Sequence, residues 1–232
     1  MPVVDLDLTR RFPYAGGRAF GDVGAYEQID AVLTFAVDPS AEVNLSIVDL
    51  EHAPRGTDGR VRFTADFSVV RPVNPDRASH LLLVELPNRG RRRVVDTLNR
   101  SGKEAAASSD PGDGFLFERG FTVASIGWQW DVYTDDVLMG LEPPVADLSG
   151  EPDPGQNVVE IRPNISASTW LLADRIHRPL RAADLDDPNA VLYVKDYEEG
   201  EATAIPRANW KFACETPNGI EPSDEHIYLE SG

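Results

Sequence analysis

The sequence predicts an α/β fold that begins with antiparallel strands and continues with parallel ones. Residues 61–70, VRFTADFSVV, alternate apolar and polar side chains, as expected of a strand with one buried face. Residues 80–86, HLLLVEL, form a nearly continuous apolar run, which is typical of a parallel strand covered on both faces. Residues 121–126, FTVASI, form a second such run after a helical-looking interval, so we expect a parallel strand-helix-strand unit.

The other elements of this first part follow from local composition. The glycines of residues 11–24 indicate an opening loop, and the β-branched run AVLTFAV at residues 31–37 indicates a strand. Thr57-Asp58-Gly59 supplies a tight turn before the strand that starts at Val61. Gly120 ends the helical interval that precedes residue 121.

Beyond Met139 the sequence changes character, because residues 142–155 are rich in Pro, Asp and Gly. Short β-like runs follow at residues 157–162, 190–195 and 209–213. We interpret this stretch as a β-rich insertion into the α/β core. The predicted division is therefore residues 1–140 for the first strands of the core, 141–225 for the insertion and 226–232 for a return towards the core.

Charge and composition exclude several classes of partner. The 39 acidic and 22 basic residues give a net charge of −17, which repels nucleic acids and anionic membrane surfaces. No run approaches the roughly 18 apolar residues of a membrane helix, and we expect a soluble, cytoplasmic protein. No Cys and His spacing indicates a metal site, and no motif indicates a cofactor.

Five segments together resemble a known family: FGDVGAYEQIDAVLTFAVDP, IVDLEHAPRGTDGRVRFTADFSVVRP, LLLVELPNRG, GDGFLFERGFTVASIGWQWDV and AIPRANWKFA. They are similar to segments of the uncharacterised bacterial alpha/beta hydrolase domain proteins, and the resemblance runs through almost the whole chain. It implies an α/β-hydrolase sheet and a serine hydrolase that acts on a small ester or amide. It also implies that the nucleophile, the acid and the histidine lie beyond the last residue, Gly232, so we expect this chain to be inactive by itself.

Ser125 is the nearest approach to a nucleophile, because no Gly-x-Ser-x-Gly sequence occurs. The segment VASIG keeps the second glycine of that motif but has Val123 in place of the first. A small residue inside a buried strand explains Ser125 equally simply. Glu85, at the end of the preceding strand, is a further carboxylate without an assigned partner.

Asn88, Arg89 and Gly90 follow the first predicted parallel strand, where this fold provides one backbone N–H group of the oxyanion hole. The alternative is an ordinary turn in which Asn88 caps a helix. Trp128, Gln129 and Trp130 follow the second predicted parallel strand, where ligands bind in open α/β sheets. The alternative for these three residues is core packing.

A second hypothesis is a non-catalytic β-rich ligand-binding module, in which Trp128 and Trp130 form an apolar or sugar-binding platform. The run HLLLVEL argues against it, because a sandwich strand is expected to alternate. In the hydrolase hypothesis the sheet would lack strands beyond its second parallel one. We therefore also expect an exposed apolar sheet edge and self-association through it.

Overall fold

The computed structural model describes residues 2–101, 110–134, 137–148, 157–163, 165–173 and 177–230. The chain forms two compact units, which cover residues 1–150 and 151–232. The predicted division at residues 140 and 225 stays a prediction.

The predicted α/β-hydrolase fold is wrong, because strands dominate the structure. Among the described residues, strands account for 37% and helices of all kinds for 15%, without the regular alternation of strand and helix that an α/β fold requires. The described residues contain two α-helices, α1 (Val94–Leu98) and α2 (Phe115–Glu118). The sequence DPGDG at residues 110–114 explains why α2 is short, since its proline and glycines prevent an earlier helical start.

The first unit contains seven strands that belong to one sheet: β1 (Val3–Pro13), β2 (Ala19–Phe20), β3 (Gly24–Val37), β4 (Val61–Pro72), β5 (Leu82–Glu85), β6 (Thr122–Ile126) and β7 (Leu141–Glu142). The main order across the sheet is β1-β3-β4-β6-β5, with β2 paired to β3 and β7 paired to β4. Strands β1, β3, β4 and β6 are mutually antiparallel neighbours. The expected parallel pair is present as β5 and β6, with α1 and α2 between them in the chain.

One face of this sheet carries an aromatic core. Tyr14, Phe20, Tyr26 and Phe117 are almost completely buried, and their ring centroids lie 4.9–5.6 Å apart in edge-on or tilted pairs. The Tyr26 hydroxyl donates a hydrogen bond to the Phe117 carbonyl oxygen over 3.0 Å. This contact fixes α2 and the turn after it against β3.

Strand β5 differs from the prediction, because it is the last strand of the sheet and not a central one. Leu82, Val84 and Leu86 are between 51% and 61% exposed. Their apolar character predicted burial on both faces, but β5 has only β6 as a neighbour among the described strands. The apolar run at residues 80–86 therefore corresponds to an apolar strand at the edge of the sheet.

Strand β4 is more deeply buried than its alternation predicted. Ser68 belongs to the polar phase of the strand, yet it is only 4% exposed. Its neighbours in register are Asp30 on β3 and Ser125 on β6, so the polar phase near Ser68 faces other polar groups instead of solvent. Val70, in the same phase, joins the aromatic core.

The described part of the second unit contains seven short strands: β8 (Thr169–Leu171), β9 (Leu192–Val194), β10 (Thr203–Ile205), β11 (Trp210–Lys211), β12 (Ala213–Thr216), β13 (Gly219–Pro222) and β14 (His226–Leu229). They form one three-stranded antiparallel sheet, β11-β14-β8, and two antiparallel pairs, β9 with β10 and β12 with β13. A small core forms around Leu172, Trp210 and Ile227. The predicted runs at residues 190–195 and 209–213 contain β9 and β11, whereas residues 157–162 have no regular structure. In neither unit do the described helices reach the length and apolar character needed to cross a membrane.

Candidate functional site

The loops after β5 and β6 meet at the same end of the parallel pair, as parallel strands require. The six residues singled out from the sequence lie on these two loops: Asn88, Arg89 and Gly90 on the first, and Trp128, Gln129 and Trp130 on the second. The structure therefore brings the two groups together. Their contacts decide what this end of the sheet can bind.

Hydrogen bonds tie the two loops to each other. The Trp128 indole Nε1–H donates to the Pro87 carbonyl oxygen over 3.0 Å. The Arg89 backbone N–H donates to the Gln129 side-chain oxygen Oε1. The Arg89 guanidinium lies 4.0 Å from the Asp131 carboxylate. The loop after β6 is thus held in place by both side chains and backbone.

The backbone donors proposed for an oxyanion hole already have partners. The Arg89 N–H is bonded to Gln129, and the Gly90 N–H donates to the Pro87 carbonyl oxygen over 3.3 Å. Gly90 has a φ of +74°, and a Cβ there would lie 2.8 Å from the Met139 carbonyl oxygen. Glycine is required at this position because another part of the chain approaches closely.

Asn88 is exposed and does not cap α1, whose N-cap position is Arg93. The cap of α1 comes instead from Glu85, whose Oε1 accepts hydrogen bonds from the backbone N–H groups of Arg93 and Val94. A carboxylate at this position satisfies two donors that the first helical turn leaves open. Glu85 therefore has a structural partner that its position in the sequence did not reveal.

The aromatic residues after β6 are not core residues. Trp128 is 50% exposed, Trp130 is 42% exposed and Tyr133 is 51% exposed. Three large aromatic side chains within six residues are half in solvent, although such side chains usually bury most of their surface. The alternative of core packing does not hold for Trp128 and Trp130.

Ser125 is placed differently from a catalytic nucleophile. It is 4% exposed, and its hydroxyl donates to Glu85 Oε2 over 3.1 Å. The four histidines lie at positions 52, 80, 177 and 226, and none of them lines the cavity that Ser125 faces. A serine without a histidine beside it has no general base of the kind that serine hydrolases use.

Ser125 instead belongs to a row of polar residues that crosses the sheet. Arg10, Asp30, Ser68, Ser125 and Glu85 are consecutive neighbours in register on β1, β3, β4, β6 and β5. Ser68 Oγ donates to Asp30 Oδ1 over 2.7 Å, and Arg10 pairs with Asp30 at 3.3 Å. We refer to these five residues as the polar row. The polar row lies beside the aromatic core.

A cavity of about 30 Å³ adjoins the polar row. Its lining includes Ser68, Glu85 and Ser125 from the row, together with Tyr14, Gln28 and Arg92. The Arg92 NH1 group donates to Ser68 Oγ over 3.0 Å, and Gln28 Nε2 donates to Asp30 Oδ1 over 2.8 Å.

Three buried polar atoms around this cavity have no hydrogen-bond partner among the described residues: Tyr14 Oη, Gln28 Oε1 and Arg92 Nε. An unpaired buried polar atom costs about 1–3 kcal/mol. Burial raises the pKa of the Tyr14 phenol, with Asp110 and Asp96 acting in the same direction, so this residue is neutral at ordinary pH. Burial also lowers the pKa of Arg92, and Asp30 and Glu85 oppose that effect.

Tyr14, Gln28 and Arg92 were not identified from the sequence. A glutamine and an aspartate in the strand EQIDAVLTFAV were a usable signal, because polar residues within an apolar strand require partners. Tyr14 had no comparable signal, since its glycine-rich surroundings predicted only a loop.

The described residues contain no group of three or more His, Cys, Asp and Glu side chains suited to holding a metal ion. Comparisons of the chain with family models, with curated proteins and with solved structures found no match. The resemblance to alpha/beta hydrolase domain proteins therefore stays a prediction.

Proposed function

We propose that this chain is a non-catalytic ligand-binding module whose first unit binds a neutral carbohydrate on the loop after β6. The observation that carries the proposal is the half-exposed Trp128 ring, fixed by its N–H bond to the Pro87 carbonyl oxygen. An aromatic ring already held in one orientation loses little conformational entropy when a ligand stacks on it. Trp130 and Tyr133 are further aromatic residues of the same loop that are about half exposed.

The neighbouring charges favour a polyol over other ligands. Arg89 and Asp131 lie on the loops after β5 and β6, 4.0 Å apart and with side chains 40% and 29% exposed, so a hydroxyl-rich ligand on this surface would meet charged groups of both signs. The apolar face of a sugar ring can then stack on the indole. The net charge of −17 disfavours polyanionic ligands. Catalysis is not part of this proposal, because Ser125 is buried and bonded to Glu85.

Nuclear magnetic resonance of the four tryptophan indole N–H groups tests the proposal directly. Neutral trisaccharides such as maltotriose, cellotriose and chitotriose are titrated into the protein. We expect at least one of them to shift the Trp128 and Trp130 signals saturably and to leave Trp170, in the second unit, unchanged. Trp128→Ala is expected to weaken that binding at least about tenfold, as for a central aromatic contact.

Tyr197→Ala is the matched control, because Tyr197 is 68% exposed but lies in the second unit. Its binding should equal that of the unchanged protein. The proposal fails if no neutral sugar gives a saturable shift. It also fails if Tyr197→Ala reduces binding as much as Trp128→Ala does.

A further inference from the structure

The cavity beside the polar row has the properties of a built polar site. Tyr14 and Gln28 are each 1% exposed, and each carries one polar atom without a partner among the described residues. Arg92 Nε is the third such atom. All three side chains line the same cavity. Buried polar groups nearly always have a partner, so their convergence indicates an occupant.

We propose that this cavity is a binding site for a neutral hydroxyl group, supplied by an ordered water molecule or by a small alcohol. Polar cavities larger than about 10–15 Å³ can hold water, so a cavity of about 30 Å³ has sufficient room. A hydroxyl group both donates and accepts, as the three atoms require. This site is distinct from the aromatic loop and does not depend on carbohydrate binding there.

The hydrogen-bonding roles of the three atoms are fixed by their surroundings. Gln28 Nε2 donates to the Asp30 carboxylate, and the opposite orientation would place Oε1 against that carboxylate. Gln28 Oε1 is therefore an acceptor that needs a donor. Arg92 Nε–H is a donor that needs an acceptor, and the Tyr14 hydroxyl can take either role.

Charge and hydrogen-bonding chemistry together favour a neutral occupant. Glu85, Asp96 and Asp110 also line the cavity, and their carboxylates would repel an anion. A cation such as ammonium offers no acceptor to Arg92 Nε–H and would lie beside its positive charge. A neutral hydroxyl group avoids repulsion by the carboxylates and offers an acceptor to Arg92 Nε–H.

The variant Tyr14→Phe has different expected stabilities for an occupied and for a dry cavity. Tyr26 is the matched control, because it lies in the same core and its hydroxyl has a known partner, the Phe117 carbonyl oxygen. Tyr26→Phe should lower Tm by about 2–8 °C, as expected for one lost hydrogen bond. Tyr14→Phe should lower Tm in the same way if its hydroxyl binds an occupant. An unchanged or raised Tm for Tyr14→Phe, with a lowered Tm for Tyr26→Phe, overturns the proposal.

The two sources of the hydroxyl group are distinguished in the unchanged protein. The methyl groups of Val95 and Val123 line the cavity, whereas Val84 is exposed and serves as the control. Nuclear Overhauser effects from long-lived water to Val95 and Val123, absent at Val84, identify water. Saturable shifts of the same methyls with ethylene glycol identify an alcohol. If Val95 and Val123 show neither the water signal nor the ethylene glycol shift, the proposed site is refuted. This outcome does not depend on whether the Tyr14 variant folds.

Discussion

At the scale of single residues, a carboxylate within the sheet can have a purely structural role. Glu85 accepts bonds from Ser125 and from the first turn of α1, so its oxygens are used within the fold. The same holds for Glu27, which is 7% exposed. Its two oxygens accept from Arg11 Nε on β1 at 2.7 Å and from Arg71 Nε on β4 at 2.9 Å. This triad joins three strands.

Glu27→Gln should reduce stability at neutral pH and have a smaller effect in acid. Burial opposes ionisation of Glu27, but the hydrogen bonds from Arg11 and Arg71 outweigh it and lower the pKa of the carboxyl. A lowered folded-state pKa contributes stability that is complete above the unfolded pKa, about 4.3, and is lost as pH falls through the folded value. We expect a loss of about 1–3 kcal/mol at pH 7 from chemical unfolding.

The pH dependence is the decisive measurement for Glu27. The difference between the two proteins should shrink as pH falls below about 4. Glu42→Gln, at an exposed position, controls for removal of a carboxylate as such. A difference for Glu27→Gln that is constant from pH 7 to pH 3 would show that the triad contributes no charge-dependent stability.

At the scale of elements, close backbone approach positions the loop that carries the aromatic residues. Gly127 follows β6 directly, and its N–H donates to the Asp66 carbonyl oxygen over 2.8 Å. The Asp66 carboxylate accepts from Gly140 N–H over 2.9 Å. Burial raises the pKa of this carboxyl, the Gly140 N–H opposes that shift, and Glu142 adds to it. Asp66 thus connects β4 with the two segments that flank the aromatic loop.

Gly127→Ala should disturb this junction, because its Cβ would lie 2.1 Å from the Gly140 carbonyl oxygen. We expect a loss of about 1–3 kcal/mol in the free energy of unfolding and a shifted Trp128 indole signal. Gly59→Ala is the control, because Gly59 has open space around it and a φ of +74°. It should cost about 1–2 kcal/mol through backbone strain and leave the Trp128 signal unchanged. An unchanged Trp128 signal in Gly127→Ala would contradict the role of this junction.

At the scale of the whole molecule, the first unit leaves an apolar strand at the edge of its sheet. Leu82, Val84 and Leu86 are at least half exposed, and β5 is the last strand among those described. Unpaired backbone groups beside apolar side chains favour association with another chain. The self-association expected from the sequence remains a proposal, and its location on β5 makes it testable.

Leu82→Lys combined with Val84→Lys should suppress concentration-dependent association with little loss of stability, because both side chains already face solvent. Sedimentation velocity over a range of protein concentrations measures the effect. Val43→Lys is the control, since Val43 is 83% exposed and lies outside the sheet. The proposal is wrong if the unchanged protein is monomeric throughout, or if the control suppresses association equally.

The sequence determined the local elements more securely than their arrangement. Alternation located β4, and the apolar runs located β5 and β6, because side-chain period is a local property of a strand. It also located the residues of the two loops that meet after β5 and β6, because parallel strands end on the same side of a sheet.

Only the tertiary structure decided which faces are covered and which polar groups meet. It left β5 at the edge, exposed Trp128 and Trp130, and placed Ser125 beside Glu85. Burial and hydrogen bonding depend on neighbours that are distant in the sequence, such as Tyr14 and Arg92 around one cavity. Composition and the period of the side-chain pattern do not determine those neighbours. The polar row depends on the register of five strands, which only the tertiary structure defines.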